Sequence, residues 1–227
     1  LALGARLLLA RAYSDEAWAH WNLGEQERAS QLLSEARRLY ADAGDRAGMA
    51  QAIRVTGLLL WNRGDGDTAK EMFHRAHAIY SEVGNRRGMA TSLDNLALVL
   101  LKQGDLKRAK QVREEALALF RSTGNKSTIA VALTNLGNIL LKAGDLAAAG
   151  RLYDESLALH REVGNAVAVG AALCQLGELR REQGDLAGAR GAYEEALSIQ
   201  QSVGQEGRVA ESLPGLAEVS LAAGDLA

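Results

Sequence analysis

Proline is nearly missing from this chain: Pro214 is its one proline, and aromatic side chains make up only 4% of the 227 residues. So little of either argues against a β-sandwich or a barrel and for helix packed on helix. Cysteine is just as rare. Cys174 stands alone, which excludes an intrachain disulfide and fits a reducing, cytoplasmic setting. As a nucleophile Cys174 would need an activating base, and the sequence supplies none, so it reads as a packed or groove-lining thiol. Charge of one sign is also lacking. The net charge is −2, with no basic field to hold nucleic acid and neither an acidic tail nor a polybasic anchor. The apolar run Leu7–Ala10 is bounded by Arg6 and Arg11 and is far too short to span a bilayer. No signal-peptide pattern is visible, and the opening at Leu1 rather than Met reads as a fragment of a longer protein.

What is abundant is glycine at fixed intervals. Gly24, Gly64, Gly104, Gly144, Gly184 and Gly224 are spaced by forty residues, and so are Gly44, Gly84, Gly124, Gly164 and Gly204. Asp or Asn follows most of them: Asp65, Asp105, Asp145, Asp185 and Asp225 in the first set, Asp45, Asn85, Asn125 and Asn165 in the second. Glycine supplies the left-handed residue that ends a helix. The Asp or Asn after it caps the next helix by accepting a backbone N–H. The two combs therefore cut each unit into two helices of roughly four to five turns joined by tight turns, which must run antiparallel.

Apolar spacing within the units agrees. The fourth unit carries Leu133, Leu136, Gly137 and Leu140, then Ala149, Tyr153 and Leu157, at intervals of three and four that share a helix face. The fifth repeats this with Leu173, Leu176, Gly177, Ala189 and Tyr193, and the second with Ile53, Gly57, Leu60, Ala69 and Phe73. This pattern resembles the tetratricopeptide repeat. An aliphatic residue replaces the usual Trp, Arg113 stands where the aromatic of a second helix belongs, and the closing proline is missing. The 40-residue period is longer than the usual 34 and is similar to that of kinesin light chains, cell-polarity adaptors of the LGN type and sensor arms of bacterial regulators. The resemblance implies an all-α fold, an α-solenoid whose antiparallel hairpins wind into a right-handed superhelix. The chain then reads as one array: a degenerate repeat 1 at about 6–45, repeats 2 to 5 at 46–85, 86–125, 126–165 and 166–205, and a partial repeat 6 at 206–227. Helices are expected near 47–62, 66–82, 87–102, 106–122, 127–142, 146–162, 167–182 and 186–202.

In such an array the first helix of each hairpin lines a concave groove. The ridge beside the core leucines then gives the candidate binding residues. They are Arg54, Leu58 and Trp61 in repeat 2, and Asn95, Leu98, Leu101 and Lys102 in repeat 3. Asn135, Asn138, Leu141 and Lys142 follow in repeat 4, with Gln175 and Arg181 in repeat 5. Asn95, Asn135 and Gln175 form a series of carboxamides, each offering a donor and an acceptor to a peptide bond. In similar repeat proteins an Asn at this place clamps the ligand backbone. Trp21 and Trp61, continued by Leu101 and Leu141, read either as an apolar anchor strip or as packing between the first two repeats. The mid-groove cations Arg54, Lys102, Lys142 and Arg181 favour a ligand with some acidic character and are too sparse for a nucleic-acid track. The carboxylate clamp of chaperone-binding relatives is not reproduced: Thr91, Val131, Thr134 and Cys174 occupy the positions of its lysines.

No catalytic constellation is present, and neither cofactor nor metal is expected. His74 and His77 lie three apart but lack further ligands, and Gly144-Asp145 is helix punctuation rather than a phosphate loop. The expected function is a protein- or peptide-binding module, with a ligand-sensing arm of a larger bacterial regulator and a self-associating scaffold as alternatives. Self-association would follow from an incomplete sixth repeat, whose row Leu213, Leu216 and Val219 lacks a partner on one side. Pro214 and Gly215 predict a kink or a late helix start between Ala210 and Gly215, with this last helix mobile or held by a second molecule.

Overall fold

A computed structural model describes residues 2–204 and 206–223, the side chains of 206–212 and 223 excepted. The described residues form eleven α-helices and no strand: α1 (Leu3–Asn22), α2 (Gln26–Asp42), α3 (Arg46–Asn62), α4 (Gly66–Glu82), α5 (Arg86–Lys102), α6 (Leu106–Thr123), α7 (Lys126–Lys142), α8 (Leu146–Glu162), α9 (Ala166–Glu182), α10 (Leu186–Ser202) and α11 (Glu206–Ala223). The chain divides into two compact units at Thr123 and Gly124. The first holds α1–α6, three antiparallel hairpins. The second holds α7–α11, two hairpins and a closing helix. Within each unit a helix packs on its hairpin partner and on the next hairpin, the stacking of an α-solenoid of tetratricopeptide-type repeats.

The glycine combs do what their chemistry requires. Gly64 has φ +88° and Gly84 φ +67°, values that a side chain disfavours. At the first of these turns Gly64 N donates to Trp61 O and Asp65 N to Leu60 O, the paired bonds of a Schellman motif. The carboxylate of Asp65 then accepts from Thr68 N at 3.1 Å, and that of Asp145 from Ala148 N at 3.1 Å. Asn85 and Asn125 do the same for Gly88 and Thr128. The first hairpin departs from this rule: Glu25 precedes α2 and makes no side-chain cap, because its longer side chain turns to His20 instead. Gly224 and Asp225, the last teeth of one comb, lie outside the described residues.

Close helix approach comes from glycine facing an aromatic ring. A Cβ on Gly137 would lie 2.5 Å from Tyr153, and one on Gly177 would lie 2.7 Å from Tyr193. The rings lie over the glycine backbone and are nearly inaccessible, as are Ile53, Phe73 and Leu133. Each such side chain contributes roughly 1.5–3 kcal/mol of burial.

The final helix corrects one of the two alternatives expected there, the late start. No late start occurs at Ala210–Gly215: α11 begins at Glu206 and carries Pro214 inside it. A lost backbone bond is outweighed here by packing on α10. Gly215 meets the Tyr193 ring, and Val219 is fully buried against Ala189 and Tyr193. Val219 therefore does not lose its cover, whereas Leu213 and Leu221 remain exposed at 49% and 65%.

Candidate functional site

The odd-numbered helices carry the expected ligand-facing residues, and the structure gives these residues unequal freedom. In the first unit, Arg54 and Leu58 of α3 are half-buried, and Leu98 of α5 is exposed. The Arg54 guanidinium lies beside the Tyr80 hydroxyl; it partly offsets the burial that raises the Tyr80 pKa above its usual range. Lys102 places its ammonium 4.7 Å from the centre of the Trp61 ring, so these two expected site residues contact each other. Leu101 stands next to them in sequence, half-buried. Trp21 packs on the cluster of Ala17, Leu32, Leu33, Val55 and Leu59, with Trp18 tilted against it at 4.3 Å. For Trp21, the packing alternative describes the environment observed.

Asn95 is the most enclosed residue of this ridge. It is 9% exposed, and its Nδ2 is buried without a hydrogen-bond partner. Next to it, Asp94 accepts a 2.8 Å hydrogen bond from the guanidinium of Arg113, which α6 buries to 3% exposure. Burial pulls the Arg113 pKa below its usual range, and the Asp94 charge opposes that shift. Asp94 is thus committed within its hairpin rather than held out for a ligand.

In the second unit, Asn135 of α7 and Gln175 of α9 are half-buried, Leu141 is half-buried and Lys142 exposed. Asn138 already has a partner in its own hairpin: its Oδ1 accepts a 2.6 Å hydrogen bond from the Tyr153 hydroxyl, locking α7 to α8. Glu178 plays the same part for Tyr193 at 3.1 Å. Burial, first, and the Glu178 carboxylate, second, push both tyrosines up to about 12. Arg181, expected as a basic groove residue, has acidic neighbours of its own. It forms an ion pair with Glu178 at 2.5 Å and lies 3.6 Å from Glu218, so its charge is met inside the unit. The Arg181 hydrogen bond holds the Glu178 carboxyl below the usual carboxylate range.

One concavity of this unit was not anticipated. A pocket of about 260 Å³ lies where α7, the end of α8 and the start of α9 meet, with Val131, Thr134, His160, Ala171 and Gln175 in its wall. His160 is 4% exposed and its Nδ1 has no partner; Gln175 Oε1 is buried and also unpartnered. Burial lowers the His160 pKa, so the ring is neutral at pH 7. A sequence signal for His160 does exist: its counterparts at forty-residue steps are Tyr40, Tyr80 and Phe120, an aromatic series that turns polar at this position.

Among the described residues no group of three or more His, Cys, Asp or Glu is placed to hold a metal ion. His74 and His77 sit together on α4, and burial first, then His77 and Lys70, lower the His74 pKa. Cys174 is half-buried, with Gln200 Nε2 at 3.7 Å from its sulfur. No helix among the described residues is long and apolar enough to cross a membrane.

Comparison with solved structures places the chain beside other helical-repeat proteins. It superposes on the tetratricopeptide sensor-containing signal transduction ATPase (STAND) protein of Pyrococcus horikoshii with a TM-score of 0.84 and 14% identity, covering 94% of this chain and 33% of that one. BtubC of P. vanneervenii gives a TM-score of 0.68 at 19% identity, over 90% of this chain and 93% of that chain. The nearly identical TPR-like repeats of a kinesin light chain candidate from Podosopora anserina give 0.70 at 16% identity, over 86% and 96%. A comparison with curated proteins finds no match. The tetratricopeptide repeat model matches residues 10–35, within the degenerate first repeat. The MalT-like TPR region model matches residues 84–227, well over half of the sequence, and the chain belongs to that family.

Proposed function

We propose that the chain is a protein-interaction module that takes a segment of a partner against the first helices of its hairpins, each unit offering its own site. The observation that carries this reading is the set of carboxamides on those helices: Asn95 in the first unit, Asn135 and Gln175 in the second. Asn95 Nδ2 and Gln175 Oε1 are buried without partners. An unpaired buried polar atom costs about 1–3 kcal/mol, which a ligand backbone bond would relieve. Leu98, Leu101 and Leu141 supply apolar contact beside them, and Arg54, Lys102 and Lys142 supply positive charge for a segment with acidic character. The test is a pull-down with the purified chain and with the doubled Asn95→Ala, Asn135→Ala variant. A partner retained by the first and lost by the second, at an unchanged thermal midpoint, supports the reading. Equal recovery moves the site to the second helices or the loops.

A second reading is a ligand-sensing arm of a larger signalling protein. It is favoured by the family match and by the likeness to the sensor-bearing STAND protein, of whose length this chain spans about a third. A nucleotide-binding or DNA-binding domain elsewhere in the full-length gene product would select this reading over the first. Self-association has a narrower basis, the exposed Leu213 and Leu221 of α11. Light scattering across a concentration series tests it.

A further inference from the structure

The pocket of the second unit is chemically specific in a way that its size alone does not convey. Its floor is fixed by a chain of hydroxyls. Ser156, fully buried, donates to Ala130 O at 2.8 Å, which uses its one proton. The 2.7 Å contact between Thr134 Oγ1 and Ser156 Oγ is therefore donated by Thr134. Thr134 then faces the pocket with lone pairs only. Gln175 Oε1 adds a second acceptor, buried and unpartnered. Asn165, at the rim, already accepts from Ala168 N as the cap of α9. His160 Nδ1 is the second unpartnered group, able to donate or accept according to its tautomer.

Three features narrow the occupant. Two acceptors call for a ligand with N–H or O–H donors. His160, also in the wall, calls for a ligand acceptor when its ring is in the Nδ1–H tautomer. No carboxylate, ammonium or guanidinium lines the pocket, and the neutral side chains of Ser127, Val131, Val167, Ala168, Ala171 and Ala172 complete the wall, so an ionised ligand would lose its hydration without a counter-charge. We propose that this pocket is a binding site for a neutral primary carboxamide, its NH2 donating to Gln175 Oε1 and Thr134 Oγ1 and its carbonyl accepting from His160 Nδ1–H. A primary amide carries two donors and one acceptor on a planar head small enough for about 260 Å³. Such a head reaches the pocket on a glutamine or asparagine side chain of a bound segment or as a free small amide; the chemistry of recognition is the same. The proposal names what the second unit recognises, and it stands or falls separately from the reading of the first unit.

The experiment is a titration of the isotopically labelled chain, followed by proton–nitrogen NMR at the Gln175 side-chain amide and the His160 ring. The probes are N-acetylglutamine methylamide, its glutamate analogue and its leucine analogue. The glutamine probe should shift both groups saturably and bind at least roughly tenfold more tightly than the other two, the ratio expected for one satisfied buried hydrogen bond. His160→Phe restores the residue type found at Phe120 and so should fold; Gln175→Leu introduces an apolar residue, as Val55 is at the equivalent position. Each should lower the affinity of the glutamine probe by about tenfold. A blocked heptapeptide with central glutamine separates the sources: tighter binding than the single residue assigns the amide to a bound segment, and equal binding assigns it to a free small molecule. A glutamine probe that binds no better than the leucine probe, or binding that survives both substitutions, overturns the proposal. Asn95→Ala in the first unit should leave this titration unchanged, so failure of the interaction reading there remains distinguishable.

Discussion

The third hairpin, α5–α6, and the fourth, α7–α8, solve the same packing problem with different chemistry. In the fourth, Gly137 lets Tyr153 lie flat on α7, and Asn138 receives the phenol. In the third, Ala97 fills the place of the glycine and Arg113 that of the ring, and Asp94 receives the guanidinium. Both substitutes are well buried, Ala97 at 0% and Arg113 at 3%. The tyrosine hairpin needs one neutral hydrogen bond to satisfy its polar end. The arginine hairpin must offset the desolvation of a full charge with a single close carboxylate, and Arg113 Nε remains unpartnered. The lesson is that one backbone geometry admits a buried ion pair, with stability exchanged for a charge-dependent fit.

Breaking that pair should have the largest effect. Arg113→Ala leaves a cavity and removes the buried guanidinium from Asp94, and should cost about 3–5 kcal/mol in urea unfolding. The combined Ala97→Gly, Arg113→Tyr change copies the fourth hairpin into the third and should recover most of that loss; a double variant no more stable than Arg113→Ala would show that the two hairpins are not interchangeable. The reciprocal change in the fourth hairpin is smaller. Gly137→Ala gains about 1 kcal/mol in helix propensity but drives a Cβ into a ring pinned by Asn138, a clash worth roughly 1–3 kcal/mol. Net destabilisation near 1 kcal/mol is expected, and Gly137→Ala with Tyr153→Leu should remove it.

Capping gives the next increment. Asp145→Ala should cost about 1 kcal/mol by freeing Ala148 N, whereas Glu25→Asp, which shortens the uncapped residue before α2 to capping length, should stabilise by a few tenths to 1 kcal/mol. Thermal midpoints of the two variants should move in opposite directions. The smallest effect is one of pH. Burial sets the pKa of His160 and His74 below the usual value of about 6.5. The unfolded chain then takes up protons before the folded chain does. Stability should therefore fall as pH drops below about 6.5 and level off once pH passes the lowered folded values. His160→Phe should flatten part of that slope, measured as urea stability between about pH 7.5 and 5.

Much of this architecture was legible in one dimension. Glycine followed by Asp or Asn at forty-residue steps marks the turns because the chemistry is local: a positive φ and a side-chain acceptor three residues before an N–H involve only neighbours in sequence. The helix from Arg46 to Asn62 and its successors therefore lie within a residue of the spans expected. Gly137 and Tyr153 were readable as repeat positions because both recur in the fifth repeat as Gly177 and Tyr193, but that the ring lies on the glycine came from the structure. The site was read less completely. Asn138 and Arg181 stand at groove positions by periodicity, yet Tyr153 and Glu178 engage them. Pro214 reads locally as a helix breaker, while α11 runs through it because Val219 and Gly215 gain their contacts from α10.

The sequence by itself determined the repeat, the hairpin and the family, since each rests on propensities and spacings that a chain carries before it folds. Only the tertiary structure decided which polar groups are left without partners. Asn95, His160 and Gln175 belong to different helices or different hairpins from most of the atoms around them, and whether a buried donor or acceptor is satisfied depends on those neighbours. Periodicity names the face on which a side chain lies; the hydrogen bonds still open to it are set by what the next hairpin brings alongside.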